Sequence, residues 1–128
     1  MPQRTNPFQQ LVHLIEQQLA PYDATVTESK EFVDQVTGGN REVGIVIERK
    51  SGIHPFVIGI ECIDHKRPAD APWVERIASK HQDIGINKTI VVSRSGFYKP
   101  ALRKAKQRKI DALTLSEKNP IGLRTLVG

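Results

Sequence analysis

A single cysteine, Cys62, excludes an internal disulfide and fits a reducing compartment. No apolar run is long enough to cross a membrane. The N-terminus lacks the apolar h-region of a secretory signal. No repeat and no low-complexity tract interrupts the chain. The histidines at 13, 54, 65 and 81 show no close metal-ligand spacing, such as two on successive helical turns, which argues against a zinc site. These absences leave one expectation: a single cytoplasmic domain over residues 1–128.

What is present is ordinary for a globular domain. The chain has 128 residues, enough for one core. Its 38% hydrophobic and 26% charged residues argue against disorder. A net charge of +5 favours a polyanionic partner.

The chain then divides into periodic segments. Asn6 and Pro7 read as an N-cap and first helical position. Phe8, Leu11, Val12, Ile15 and Leu19 make one apolar stripe, with Gln9, His13, Glu16 and Gln17 off it, and the helix ends before Pro21. Residues 24–32 alternate loosely as a short strand. The run Thr37-Gly38-Gly39-Asn40 is a turn signal. Residues 41–49 form the next strand, with Val43, Ile45 and Ile47 on one face and Glu42, Gly44, Val46 and Glu48 on the other. Residues 56–63 follow as a central strand, apolar on both faces and therefore covered on both. Asp70 caps a helix with Pro72 in its first turn. That helix has an inner face of Trp73, Val74, Ile77, Ala78, His81 and Ile84, and Gly85 ends it. Residues 88–93 are a buried strand, a helix starts near Tyr98 to Pro100, and residues 110–115 are a last short strand. The tail from 116 to 128 carries Ile121, Leu123, Leu126 and Val127 and is expected to pack. The order α-β-β-β-α-β, then α-β, predicts an α/β fold with a mixed sheet. Three strands in succession exclude a doubly wound sheet.

The central strand holds a carboxylate, Glu61, among apolar residues. A buried unpaired charge is unfavourable, so something must meet it. Val57, Gly59, Glu61 and Ile63 share one face, and Cys62 faces the other with Ile58 and Ile60, as a small buried hydrophobe. With the register that sets Glu42 beside Glu61, the two carboxylates suit Mg²⁺, a hard cation that takes oxygen ligands and activates water. The simpler expectation is that a neighbouring Lys or Arg pairs with Glu61.

The segment from Ile60 to Asp70, with Trp73-Val74-Glu75 after it, resembles the Mrr-like branch of the PD-(D/E)xK restriction-endonuclease superfamily. So do Thr37-Gly38 before Arg41-Glu42-Val43, and the block Val92-Ser93-Arg94-Ser95-Gly96-Phe97 before a helix. The resemblance spans about residues 8–115. It implies a restriction-endonuclease-like αβββαβ core with a mixed central sheet flanked by helices. It also implies metal-dependent hydrolysis of double-stranded DNA by an acid on the second strand and Glu-x-Lys on the third. Carried onto this chain, Glu61 matches the glutamate, a metal ligand. The first acid falls on Gly44 and the lysine on Ile63, so two of three groups are missing. Glu42 is the nearest replacement acid, Asp34 a poorer one, and Lys66 the nearest replacement cation.

A second cluster is basic. Lys99, Arg103, Lys104, Lys106, Arg108 and Lys109 crowd one helix and its exit. A solvated face is the usual reading of such a run. Beside the Ser93-Arg94-Ser95-Gly96 loop, whose groups near a helix N-terminus suit an anion, it also reads as a phosphate-contacting surface. That surface comprises Arg94, Ser95, Lys99, Arg103 and Lys106, extended by Arg67. Three functions follow. One is a DNA-binding protein with cleavage weakened or lost. Another is a Mg²⁺-dependent endonuclease with Glu61, Glu42 and Lys66 in a rearranged site. The last is a non-catalytic scaffold, for instance a homodimer.

Overall fold

The computed structural model describes residues 6–19, 23–51, 54–115 and 123–125. The elements are α1 (Pro7–Leu19), β1 (Thr25–Val33), β2 (Asn40–Ser51), β3 (His54–Ile63), α2 (Ala71–Asp83), β4 (Lys88–Ser93), α3 (Lys99–Gln107), β5 (Asp111–Leu115) and β6 (Leu123–Thr125). The strands form one six-stranded sheet in chain order, β1-β2-β3-β4-β5-β6. β1, β2 and β3 are antiparallel, β3, β4 and β5 parallel, and β6 runs antiparallel to β5. The sheet is mixed and the fold is α/β, with the expected αβββαβ element order. Of the tail, residues 123–125 extend the sheet edge and the remainder lies outside the described residues.

Connection chirality decides which helix covers which face. β3, β4 and β5 step in one direction, so two right-handed crossovers place α2 and α3 on the same side. There Trp73, Val74, Ile77, Ala101, Ala105, Val91 and Ala112 form one cluster. α1 lies on the opposite side, where Phe8 and Val12 pack with Ile45, Ile47, Ile60 and Val92. Val57, Gly59, Glu61 and Ile63 face α2, as strand alternation requires. Gly59 is needed there, because a Cβ would lie 2.8 Å from the His81 ring.

Local signals set the helix ends. The Asp70 Oδ1 atom accepts the Trp73 N–H at 3.0 Å, and Gly85 leaves α2 at φ 79°. The Asn6 side chain accepts the Gln9 N–H at 2.8 Å at the start of α1.

Two expectations about side-chain direction fail, both near one glycine. Along α1, Phe8, Val12 and Ile15 are buried as expected, but Leu11 is 40% exposed and Gln9 only 5%. The Leu19 side chain lies outside the described residues. Along β2, Val43 packs with Val46 and Ile84 and is not grouped with Ile45 and Ile47. Alternation breaks at Gly44. A Cβ there would meet Gln9 of α1, and neighbouring Ile45 also packs against α1. The β1–β2 pairing passes from Glu28↔Ile45 to Lys30↔Val43, skipping the position between, and the β2–β3 pairing stops at Ile45↔Ile60. Ser29, in the skipped place on β1, takes a left-handed φ of 58°. The sheet therefore opens around Gly44, and side chains fill the gap.

Candidate active site

Gly44 has lost its ladder partners, yet its backbone groups must be satisfied where it is buried. Its N–H donates to Glu61 Oε1 at 3.2 Å, and its carbonyl accepts the Gln9 amide at 3.3 Å. The same Gln9 Nε2 donates to Glu28 at 3.2 Å. A polar residue of α1 is thus drawn off its expected outward face, which explains why Gln9 is buried while Leu11 is not. Sterically, a Cβ at position 44 would lie 2.7 Å from Gln9 Oε1 and 3.2 Å from the Ile60 carbonyl. Gln9 occupies the space that an acid at position 44 would need.

Glu61 is 8% exposed. Its second oxygen accepts two hydrogen bonds, from Lys80 Nζ and His81 Nε2, each at 2.8 Å. On the other ring edge, His81 Nδ1 lies 2.8 Å from the Thr89 hydroxyl. A proton on Nε2 donates to the carboxylate, and the Thr89 hydroxyl meets Nδ1 as donor or acceptor. Burial pushes the Glu61 carboxyl upward. The His81 hydrogen bond and the Lys80 charge outweigh that and hold it below the usual glutamate range.

The last turn of α2 positions this group. Trp73, Ile77 and His81 follow one another at helical spacing on its buried side, with Lys80 beside His81. The sequence placed His81 on the inner face but did not pair it with Glu61, put Gln9 off the apolar stripe, and assigned no site role to Lys80 or Thr89. The usable signal was the requirement itself. A carboxylate facing a covering helix needs a cation from that helix, and Lys80-His81 is the last basic pair before Gly85.

The predicted residues are distributed unevenly. Glu42, whose Cα partner is Glu31 on β1, lines a cleft of about 610 Å³ with Asn40, Arg41, Trp73, Arg76 and Lys80. Lys66 sits on the exposed loop after β3. The ammonium that reaches Glu61 is that of Lys80, because α2 crosses directly over this face of the strand, whereas position 66 lies past the strand's end. Asp34 is fully buried and builds the β1–β2 turn. It accepts the N–H groups of Val36 and Thr37 and binds Arg41 at 3.0 Å, and those hydrogen bonds, Thr37 foremost, hold its carboxyl below the usual aspartate range. Cys62 lies among apolar residues, and burial pushes its thiol well above the ordinary range, consistent with a packed hydrophobe.

A divalent cation finds a poor donor set. One Glu61 oxygen carries the Gly44 N–H and the other carries two donors, so binding an ion would break charged hydrogen bonds. Among the described residues, no group of three or more His, Cys, Asp or Glu side chains converges as a metal site. Glu42 lines the same cleft as Lys80, the residue that binds Glu61.

The basic residues fall on two sides. Lys99, Arg103 and Lys106 recur along α3 and are exposed. Lys104 and Arg108 are held by Glu75 of α2, at 3.0 and 2.6 Å, so they tie the two helices together. Arg94 turns to the α1 side, ion-paired with Asp64 and stacked 5.0 Å above the Phe8 ring. The Ser95 hydroxyl donates to the His65 carbonyl. Arg67 is exposed and lines a small pocket with Trp73 and Arg76.

Comparison with known proteins bears on this geometry. The family model Mrr_cat, described as restriction endonuclease, matches residues 8–118. A crystal structure of a protein of unknown function, AF1548, superposes with a TM-score of 0.69 at 16% identity, over 89% of this chain and 62% of that one. The chain thus spans less than two thirds of that neighbour's length, and the likeness concerns the fold alone. No curated protein matches.

Proposed function

Because the chain belongs to the Mrr-type restriction endonuclease family, we propose that it binds double-stranded DNA and that cleavage is weakened or lost. The observation that carries this reading is the state of Glu61. Both carboxylate oxygens accept hydrogen bonds from the protein itself, while Gly44 and Ile63 supply neither the acid nor the lysine that hydrolysis requires. Phosphoryl chemistry is sensitive to ångström displacement, so a filled pocket does not support it.

The exposed cations Lys99, Arg103 and Lys106 on α3 support DNA contact, with Arg67, Arg94 and Ser95 as further contacts. Such residues position the backbone and do not read sequence. The protein acts in the cytoplasm on this reading and needs no metal. Retarded migration of a duplex in a gel, weakening steeply with salt, together with intact supercoiled plasmid after long incubation in Mg²⁺ or Mn²⁺, is the expected result. Metal-dependent nicking abolished by Glu61→Ala would overturn it.

One observation favours a second reading. The Lys80 ammonium lies 2.8 Å from Glu61 and supplies the kind of group missing at Ile63, and Glu42 lines the same cleft. An active endonuclease would then use Glu61 and Glu42 toward Mg²⁺, with Lys80 in place of Lys66. It requires Mg²⁺ to displace the ammonium, and the nicking assay separates the two.

A further inference from the structure

We propose that the cavity between the C-terminal end of α2, the start of β4 and the turn after α3 takes a small organic anion: one phosphate or carboxylate group on a compact apolar body. The cavity has a volume of about 320 Å³ and shares no lining residue with the cleft that Glu42 and Lys80 line. The DNA-binding reading uses neither this cavity nor its cations, so the two stand or fall separately.

The lining is of two kinds. Ala78, Ile86 and Ile110 make an apolar wall, and His81 and Thr89, buried and 2.8 Å apart at their polar atoms, satisfy each other beside it. Gln82, Asn87, Arg108 and Lys109 supply the remainder, and each carries hydrogen-bond donors. The Asn87 side chain is oriented, because its oxygen accepts the Val57 N–H at 2.8 Å and leaves the NH₂ group to donate. No carboxylate lines the cavity. Asp111, next to Ile110, is held by Lys88 at 3.2 Å, and Asp83, next to Gln82, is not part of the lining. Glu75 binds Arg108 but also Lys104, so one negative charge is divided between two cations. A few donors with surplus positive charge beside an apolar wall suit an anion with a hydrophobic body.

Lys109 is the residue that points most directly to a ligand. It follows the C-cap Arg108 of α3 and has a φ of 58°. Glycine is the residue that this left-handed position favours, and a side chain there is strained. A lysine occupies it nonetheless, and its ammonium makes no ion pair among the described residues. Strain of this kind is kept where the side chain is needed at a functional site.

The test uses phenyl phosphate as the probe, with benzoate, inorganic phosphate and benzyl alcohol for comparison. Each is titrated into the full chain and followed by calorimetry and by amide proton–nitrogen NMR. Saturable binding of phenyl phosphate or benzoate is expected, with shifts at His81, Asn87, Thr89 and Lys109. Inorganic phosphate lacks the body and benzyl alcohol lacks the charge, so both should bind more weakly. Lys109→Gly removes the ammonium and relieves the strain together. Its melting temperature should match or exceed that of the wild type, while phenyl phosphate binds about tenfold more weakly, the loss of one charge-assisted hydrogen bond. Lys109→Asn, which also tolerates this conformation, serves if the glycine variant does not fold. Lys50→Ala, which removes the same charge at the far end of β2, should bind as the wild type does.

Three results overturn the proposal: no saturable binding of either organic anion, shifts confined to residues outside the cavity, or unchanged affinity in the Lys109 variants. Equal weakening in Lys50→Ala overturns it as well, since it reduces the attraction to net charge. Tighter binding of phenyl phosphate than of benzoate, or the reverse, supports the site and decides its head group.

Discussion

Removing the Glu61 carboxylate would leave Lys80 Nζ and His81 Nε2 without their acceptor, at a residue only 8% exposed. Breaking a buried charge pair by deleting one partner costs about 3–5 kcal/mol. Glu61→Ala is expected near that range, measured by urea denaturation at neutral pH. Glu61→Gln keeps the shape, and its cost should be smaller. The amide also isolates a pH effect. The folded-state carboxyl lies below its ordinary value, because the His81 hydrogen bond and Lys80 charge overcome burial. Its contribution is therefore complete above the ordinary glutamate range. It declines as pH falls through that range, where the unfolded chain takes up the proton first, and is gone once the folded carboxyl is protonated too. Wild-type stability should drop more steeply on acidification than that of Glu61→Gln. Parallel curves would show that the carboxylate is not held by its partners.

At the scale of elements, β2 is defined by the break at Gly44 and α3 by the division of its charges. If Gln9 fills the notch, Gly44→Ala should destabilise by about 1–3 kcal/mol, as overpacking does. Gln9→Ala in the same chain should recover part of that loss, giving a coupling energy in a double-mutant cycle. Strict additivity would separate the two residues. On α3, neutralising Lys99, Arg103 and Lys106 should lower duplex affinity and flatten its salt dependence, whereas Lys104→Gln should mainly loosen α3 from Glu75 and lower the melting temperature. Equal effects on DNA binding would make the helix a uniform charged face. The periodic elements were legible in the residues, since turn signals at Thr37-Gly38-Gly39-Asn40, the Asp70 cap and Gly85 mark boundaries by local chemistry. The break at Gly44 was not, because period-2 alternation assumes a continuous ladder, and no local signal says where a ladder opens. The pairing of Glu61 was half legible. Burial demanded a neighbouring Lys or Arg, but nothing in the residues said which one, and the crossover through α2 brings Lys80, nineteen residues from Glu61, onto the strand.

For the whole molecule, the candidate site is filled from four elements at once: Gln9 from α1, the Gly44 backbone from β2, Glu61 from β3, and Lys80 with His81 from α2. This has a consequence for attempts to restore the family pattern. Gly44→Asp with Ile63→Lys supplies the missing types of side chain, yet the new Asp points into Gln9, and Glu61 still carries the Lys80 ammonium. That double variant should leave supercoiled plasmid intact in Mn²⁺. Adding Gln9→Ala and Lys80→Met vacates the notch and removes the ammonium from the Glu61 oxygen, which His81 still contacts, so the fourfold variant is the one expected to nick DNA above background, provided circular dichroism shows it folded. Nicking by the double variant would mean that α1 and α2 do not obstruct the site, and that the residues at 44 and 63 alone decide whether it cleaves. The comparison separates two ways a nuclease fold loses its chemistry: by deletion of reacting groups, or by occupation of the space and charge those groups used.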